Sequence, residues 1–157
     1  MYDNGDICRS MMYPVTNHQM KEMPMNIVKD PSLLRQAFYA DGVWHEGGDD
    51  RIEVFNPSTG ALIGSVPKAS RAETVAAIEA AQAAFPDWAA RPAKERSAIM
   101  RKWFELIVEN ADDLGRLLTA EQGKPFSEAR GEILYGAAFF EWFAEDAKRV
   151  AGETIEP

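Results

Sequence analysis

Apolar positions change their period along this chain, and each change predicts a different kind of element. Phe38-Tyr39-Ala40 and Val43-Trp44 put aromatic and β-branched residues on either side of Asp41-Gly42, a pair suited to the positive φ angles of a tight hairpin turn. A second hairpin is predicted where Ile52-Glu53-Val54-Phe55 runs into Asn56-Pro57-Ser58-Thr59-Gly60 and then Ala61 to Val66. Pro57 fixes φ there, Gly60 supplies the permissive position, and Asn56, Ser58 and Thr59 can bond to nearby backbone groups. From Ser70 onward the spacing becomes helical. Ser70-Arg71-Ala72-Glu73 matches a capping box, in which hydroxyl and carboxylate each satisfy an unpaired amide. Val75, Ile78 and Phe85, among alanines at 76, 77, 80, 81, 83 and 84, give this first helix a thin body and a narrow apolar stripe. It is expected to stop near Pro86, which lacks an amide for the helical ladder.

Pro92 suits the first position of a second helix, in which Ile99, Trp103, Leu106, Ile107, Leu114, Leu117 and Leu118 recur at helical spacing. Gly123-Lys124-Pro125 is its stop signal: glycine takes the left-handed cap and proline cannot continue the helix. A third helix is predicted from about Ser127 to Ala151. Its Ile133, Leu134, Tyr135, Phe139, Phe140, Trp142, Phe143 and Val150 surround most of the circumference, the pattern of a helix buried on several sides. Two hairpins and two helices cover one face of such a helix, not all of it, so further structure downstream is expected. Apolar patches beyond several hundred Å² are unusual on a monomer.

Length and composition bound the rest. A chain of 157 residues, 46% of them hydrophobic, builds one core and is too short for two comfortable domains. Residues 1–30, with six of the seven methionines and no periodicity, are expected to form a disordered tail ahead of a domain segment at 31–157. Asp3, Asp6 and Glu22 argue against a basic presequence in that tail. The net charge of −8 argues against nucleic acid, which needs clustered Lys and Arg to displace counterions. No apolar run approaches the roughly 18 to 20 residues needed to span a bilayer, so no membrane is expected as a partner. With a single cysteine, Cys8, no internal disulfide forms; the composition is that of a reducing compartment, and the cytoplasm is the expected location.

No set of residues in the chain is arranged for covalent chemistry. His45, Glu46, Asp49 and Asp50 share a glycine-containing loop, but their spacing matches no metal motif and reads as a solvated acidic turn. Glu46-Gly47-Gly48 precedes no helix that would complete a phosphate cradle, and Gly60 and Gly64 lack the lysine and hydroxyl of a nucleoside triphosphate loop. His18 has no Ser, Cys or Asp partner in a recognisable pattern. Cys8 has no base or electropositive setting that would make it a thiolate. The charged positions Glu105, Glu109, Asp112, Asp113, Arg91, Lys94, Arg96, Arg101 and Lys102 read as solvated helix faces. Tyr135, Phe139 and Trp142 read first as core.

Taken together, Asn56-Pro57-Ser58-Thr59-Gly60 closing a strand, the Ala-rich helix ending in Phe85-Pro86-Asp87-Trp88, Arg96 early in the second helix and Glu121-Gln122-Gly123-Lys124-Pro125 carry a resemblance. From about Ala37 to Thr154 the chain resembles the N-terminal part of the aldehyde dehydrogenase superfamily, and the run from Glu132 to Glu145 with Gly152-Glu153-Thr154-Ile155 is most similar to succinate-semialdehyde dehydrogenases. One departure is Glu156, which stands where relatives place a proline. The resemblance implies an α/β fold with a Rossmann-like cofactor domain, of which this chain holds the hairpins and three long helices without the parallel sheet. It also implies oxidation of a small aldehyde such as succinate semialdehyde to the acid, with NAD or NADP as hydride acceptor, in a dimer or tetramer. A cysteine nucleophile, a glutamate base and an amide oxyanion site do that chemistry in the family. None of their motifs occurs here, so no catalytic or cofactor-binding residue is assigned, no bound cofactor is expected, and the chain alone is expected to be inactive. By the same resemblance, Tyr135 and Phe139 would face the substrate tunnel, and Glu121 would offer a carboxylate to a monovalent cation near the Val54-Phe55 carbonyls. The rival expectation is a truncated, non-catalytic helical module that docks with full-length subunits.

Overall fold

The computed structural model describes residues 27–152 and Ile155. The expectation of a disordered tail therefore lies largely outside the described residues; Ile27 to Asp30 lie inside them, and Val28 is buried.

A short 3-10 turn at Pro31–Leu33 leads into two antiparallel hairpins, β1 (Phe38–Ala40) with β2 (Val43–His45), and β3 (Arg51–Phe55) with β4 (Leu62–Pro67). Both follow from the sequence. In the first, Asp41 (φ 48°) and Gly42 (φ 77°) take the two positive φ angles of a primed turn, and Tyr39 pairs with Trp44 edge-on across the strands. In the second, Asn56 Oδ1 accepts from the Ser58 and Thr59 amides, Thr59 Oγ1 accepts from Ala61 N, and Gly60 has φ 71°. Arg51 and Gln36 tie the hairpins together. The Arg51 guanidinium donates to the Gln36 and Glu46 carbonyls and to Ser65, while Gln36 Oε1 accepts from Ser65 N at 2.7 Å.

The helices are α1 (Arg71–Ala90), α2 (Ala93–Glu109), α3 (Ala111–Gln122) and α4 (Phe126–Asp146), the last continued by a 3-10 turn at Ala147–Arg149. The capping box of α1 is complete, with Glu73 N donating to Ser70 Oγ (3.2 Å) and Ser70 N to Glu73 Oε2 (2.7 Å). Gly123 caps α3 at φ 77°, its amide donating to Thr119 O.

Three expectations are corrected. First, α1 runs through Pro86 to Ala90, because proline removes only its own donor and the residues after it still donate to the preceding turn. Second, the predicted second helix is two helices, so the chain has four long helices among the described residues rather than three. Asn110, at φ −100° and ψ 11°, ends α2 with its amide and side chain both donating to Leu106 O, and its carbonyl accepts from Leu114 N to start α3. Because both helices keep their bonds to the one junction residue, the apolar period passes through the break. Third, Asp113 is not a solvated position: it is buried and accepts the backbone amides of Lys29 and Asp30. As expected from this chain's own elements, α4 is covered on one side only.

That side of α4 packs against α2 and α3. Its buried residues are Ala129, Ala137 and Ala144, small side chains seven or eight positions apart that recur on one helical face and let the backbones approach. Trp103 of α2 meets Phe140 of α4 with ring centroids 4.5 Å apart. By contrast, α1 buries no residue and touches its neighbours sparsely, leaving Ile78 and Phe85 more than half exposed.

Candidate functional site

Opposite its alanine face, α4 presents Tyr135, Phe139, Trp142 and Phe143, which follow the i, i+4, i+7, i+8 spacing of a single helical stripe. Tyr135 is 69% exposed and Trp142 66%. Tyr135 and Phe139 stand edge to face, centroids 5.1 Å apart and planes at 85°, the arrangement the ring quadrupoles favour. With Ala138, these residues line an open hollow of about 300 Å³. The hollow is open to solvent, and its lining is almost wholly apolar. The structure thus brings together Tyr135, Phe139 and Trp142 and adds Phe143; the reading of the first three as core is corrected, since all are exposed on the side of α4 that this chain leaves uncovered. Helical spacing in the sequence already linked the four and implied an uncovered side; which residues face it did not show there.

Glu121 lies in the last turn of α3, far along the chain from the hairpins but near the second one in space. A Cβ on neighbouring Gly123 would come within 3.0 Å of Pro57 Cγ, so the end of α3 sits against the turn that follows β3. Desolvation raises the Glu121 pKa above the ordinary glutamate value. The residue itself is exposed at the negative end of the helix dipole, with no basic residue in the helix's last turn. Among the described residues no group of three or more His, Cys, Asp and Glu side chains gathers around a common point.

The other loop candidates have structural roles. His45 stacks on Phe38, and its Nε2 lies 3.2 Å from Ala40 O. Asp50 pairs with Lys68 at 3.2 Å. Gly47 (φ 70°) packs so tightly on Pro67 that a Cβ would meet Pro67 Cβ at 2.4 Å. Its loop feeds β3 rather than a helix, which does not fit a dinucleotide phosphate.

A family model described as the aldehyde dehydrogenase family matches residues 44–157. The chain belongs to that family. It is 57% identical over 129 residues to a glutarate-semialdehyde dehydrogenase of Pseudomonas putida, covering 82% of this chain and 27% of that protein. It is 51% identical, also over 129 residues and with the same coverage, to the NADP(+) succinate-semialdehyde dehydrogenase of Escherichia coli. An aldehyde dehydrogenase structure from Brucella melitensis biovar abortus superposes with a TM-score of 0.82 at 52% identity, covering 85% of this chain and 28% of that one. The chain therefore holds a portion of the aldehyde dehydrogenase fold, and it spans about 27% of the length of these curated relatives. Among the described residues no helix is long and apolar enough to cross a membrane.

Proposed function

We propose that the chain is the N-terminal portion of a cytoplasmic, homo-oligomeric, NAD(P)-dependent dehydrogenase that oxidises succinate semialdehyde, or a similar short semialdehyde, to the dicarboxylic acid. The observation that carries this reading is identity above 50% to two semialdehyde dehydrogenases over most of the chain. When bound, the nicotinamide accepts the hydride of the aldehyde carbon. This chain's own part is geometric. Tyr135 and Phe139 form one wall of the substrate passage and hold water away from the aldehyde, while the end of α3 with Glu121 holds a cation that braces it against the second hairpin. The 157 residues alone are read as inactive, because the sequence carries none of the family's nucleophile, base or cofactor motifs.

A hybrid tests the reading. The matching stretch of the E. coli enzyme is replaced by this chain's 129 residues and assayed with succinate and glutarate semialdehydes. The hybrid should reduce the dinucleotide, and Tyr135→Ala or Phe139→Ala in it should raise KM for the aldehyde several-fold while leaving KM for the dinucleotide unchanged. An unaltered aldehyde KM removes the passage assignment, and turnover by the isolated chain removes the claim of inactivity. Stable association of the isolated chain with full-length subunits would favour the docking module.

A further inference from the structure

The segment from Ile27 to Leu34 crosses from the hairpins to the helices, and one side chain holds its far end. Lys29 N–H donates to Asp113 Oδ2 at 2.8 Å, and Asp30 N–H donates to the same oxygen at 2.9 Å. The other oxygen, Oδ1, accepts from the Arg116 guanidinium at 2.7 Å. Asp113 is 7% exposed and stands third in α3, where an acid ordinarily serves the unpaired amides of its own helix. Here it serves the backbone of a segment more than eighty residues earlier. At its other end the segment is pinned to the second hairpin through Gln36, whose carbonyl and side chain engage Arg51 and Ser65.

Apart from Val28, just ahead of the first fastening, the segment buries little apolar surface. Val28 is buried, Lys29, Asp30 and Pro31 are exposed, and Ser32, Leu33 and Leu34 are intermediate. The segment also has internal stiffness, since Asp30 Oδ1 accepts from Ser32 N and the 3-10 turn follows directly. A stiff segment with few buried contacts and one charge-assisted attachment is the kind of unit that opens locally, below the free energy of global unfolding.

We propose that residues Ile27 to Leu34 form a strap that closes on α3 as a body, and that the Asp113 carboxylate is its clasp. Opening releases the Lys29 and Asp30 amides while the contacts of α4 with α2 and α3 stay in place. The clasp is independent of the enzymatic reading above, because it uses no residue of the aromatic wall or the cation site.

Amide hydrogen exchange on the 157-residue chain tests this. Asp113→Asn keeps the shape but loses the charge, and should speed exchange at Lys29 and Asp30 by roughly tenfold to a hundredfold, with Ala137 and Phe140 in α4 remaining much the better protected. A single common level of protection in the strap and α4, or no change in the strap, overturns the proposal. Should the variant fail to fold, the unsubstituted chain in low urea decides. Strap amides should exchange with a weak urea dependence and α4 amides with a steep one; a shared steep dependence overturns the proposal.

Discussion

Gly115 of α3 faces the backbone of Arg130 in α4 so closely that a Cβ on the glycine would lie 3.2 Å from Arg130 Cα, and equally close to the Phe126 ring. A helical glycine ordinarily costs about 1 kcal/mol relative to alanine, so something must offset it, and close approach of the two helices does. Gly115→Ala gains propensity but overpacks a contact with main chain, and overpacking costs about 1–3 kcal/mol. The variant should lose on the order of 1 kcal/mol, read as a lower Tm. A raised Tm would show that the α3–α4 crossing has slack.

Two pairs join α2 to α4, and they should differ in weight. Arg101 donates to Glu141 at 2.7 Å, but both side chains are nearly half exposed, and such pairs contribute roughly 0–1 kcal/mol. Trp103 and Phe140 bring their rings to 4.5 Å. Phe140→Ala should cost about 2 kcal/mol or more and Glu141→Gln less than about 1, measured by urea denaturation. The reverse order would mean that polar contacts set this interface.

Glu121 and Asp113 should make stability depend on pH in opposite senses. Desolvation raises the Glu121 pKa, so the folded chain holds that proton more tightly than the unfolded one. The associated stability is full below the ordinary glutamate range and is lost as pH rises through the raised folded value. Glu121→Gln should therefore raise Tm near neutrality without added cation, and the gain should vanish in acid. Burial pushes the Asp113 pKa up, but the Asp30 and Lys29 amides and Arg116 more than reverse this, leaving it below the ordinary aspartate value. Its contribution is present at neutral pH and lost as pH falls through that depressed value. Asp113→Asn should lower Tm at pH 7 and matter less in strong acid. Parallel pH profiles for the two variants would contradict both assignments.

Ser70→Ala removes one half of the capping box and should cost about 1 kcal/mol locally. Because α1 buries no residue, the loss should appear as faster amide exchange in its first turn, with little change in the Tm of α2 to α4. A matching drop in global Tm would show that α1 is coupled to the other helices.

Local signals in the sequence determined both hairpins, the capping box and the glycine stop at Gly123, since each depends on residues only a few positions apart. The break at Asn110 had a signal too: asparagine followed by Ala111-Asp112-Asp113 is a helix start with acids in its first turn. The unbroken apolar period on either side hid it. The resemblance set the family, and with it Tyr135, Phe139 and Glu121 as positions of interest. Tertiary structure alone decided the rest. It turned Asp113 from a first-turn acid into the clasp of a distant backbone, brought Gly123 against Pro57, and sorted α4 into an alanine face that packs and an aromatic face that stays open. Those outcomes depend on which surfaces meet across dozens of residues, and the period of a single helix records that a side is apolar without recording what lies against it.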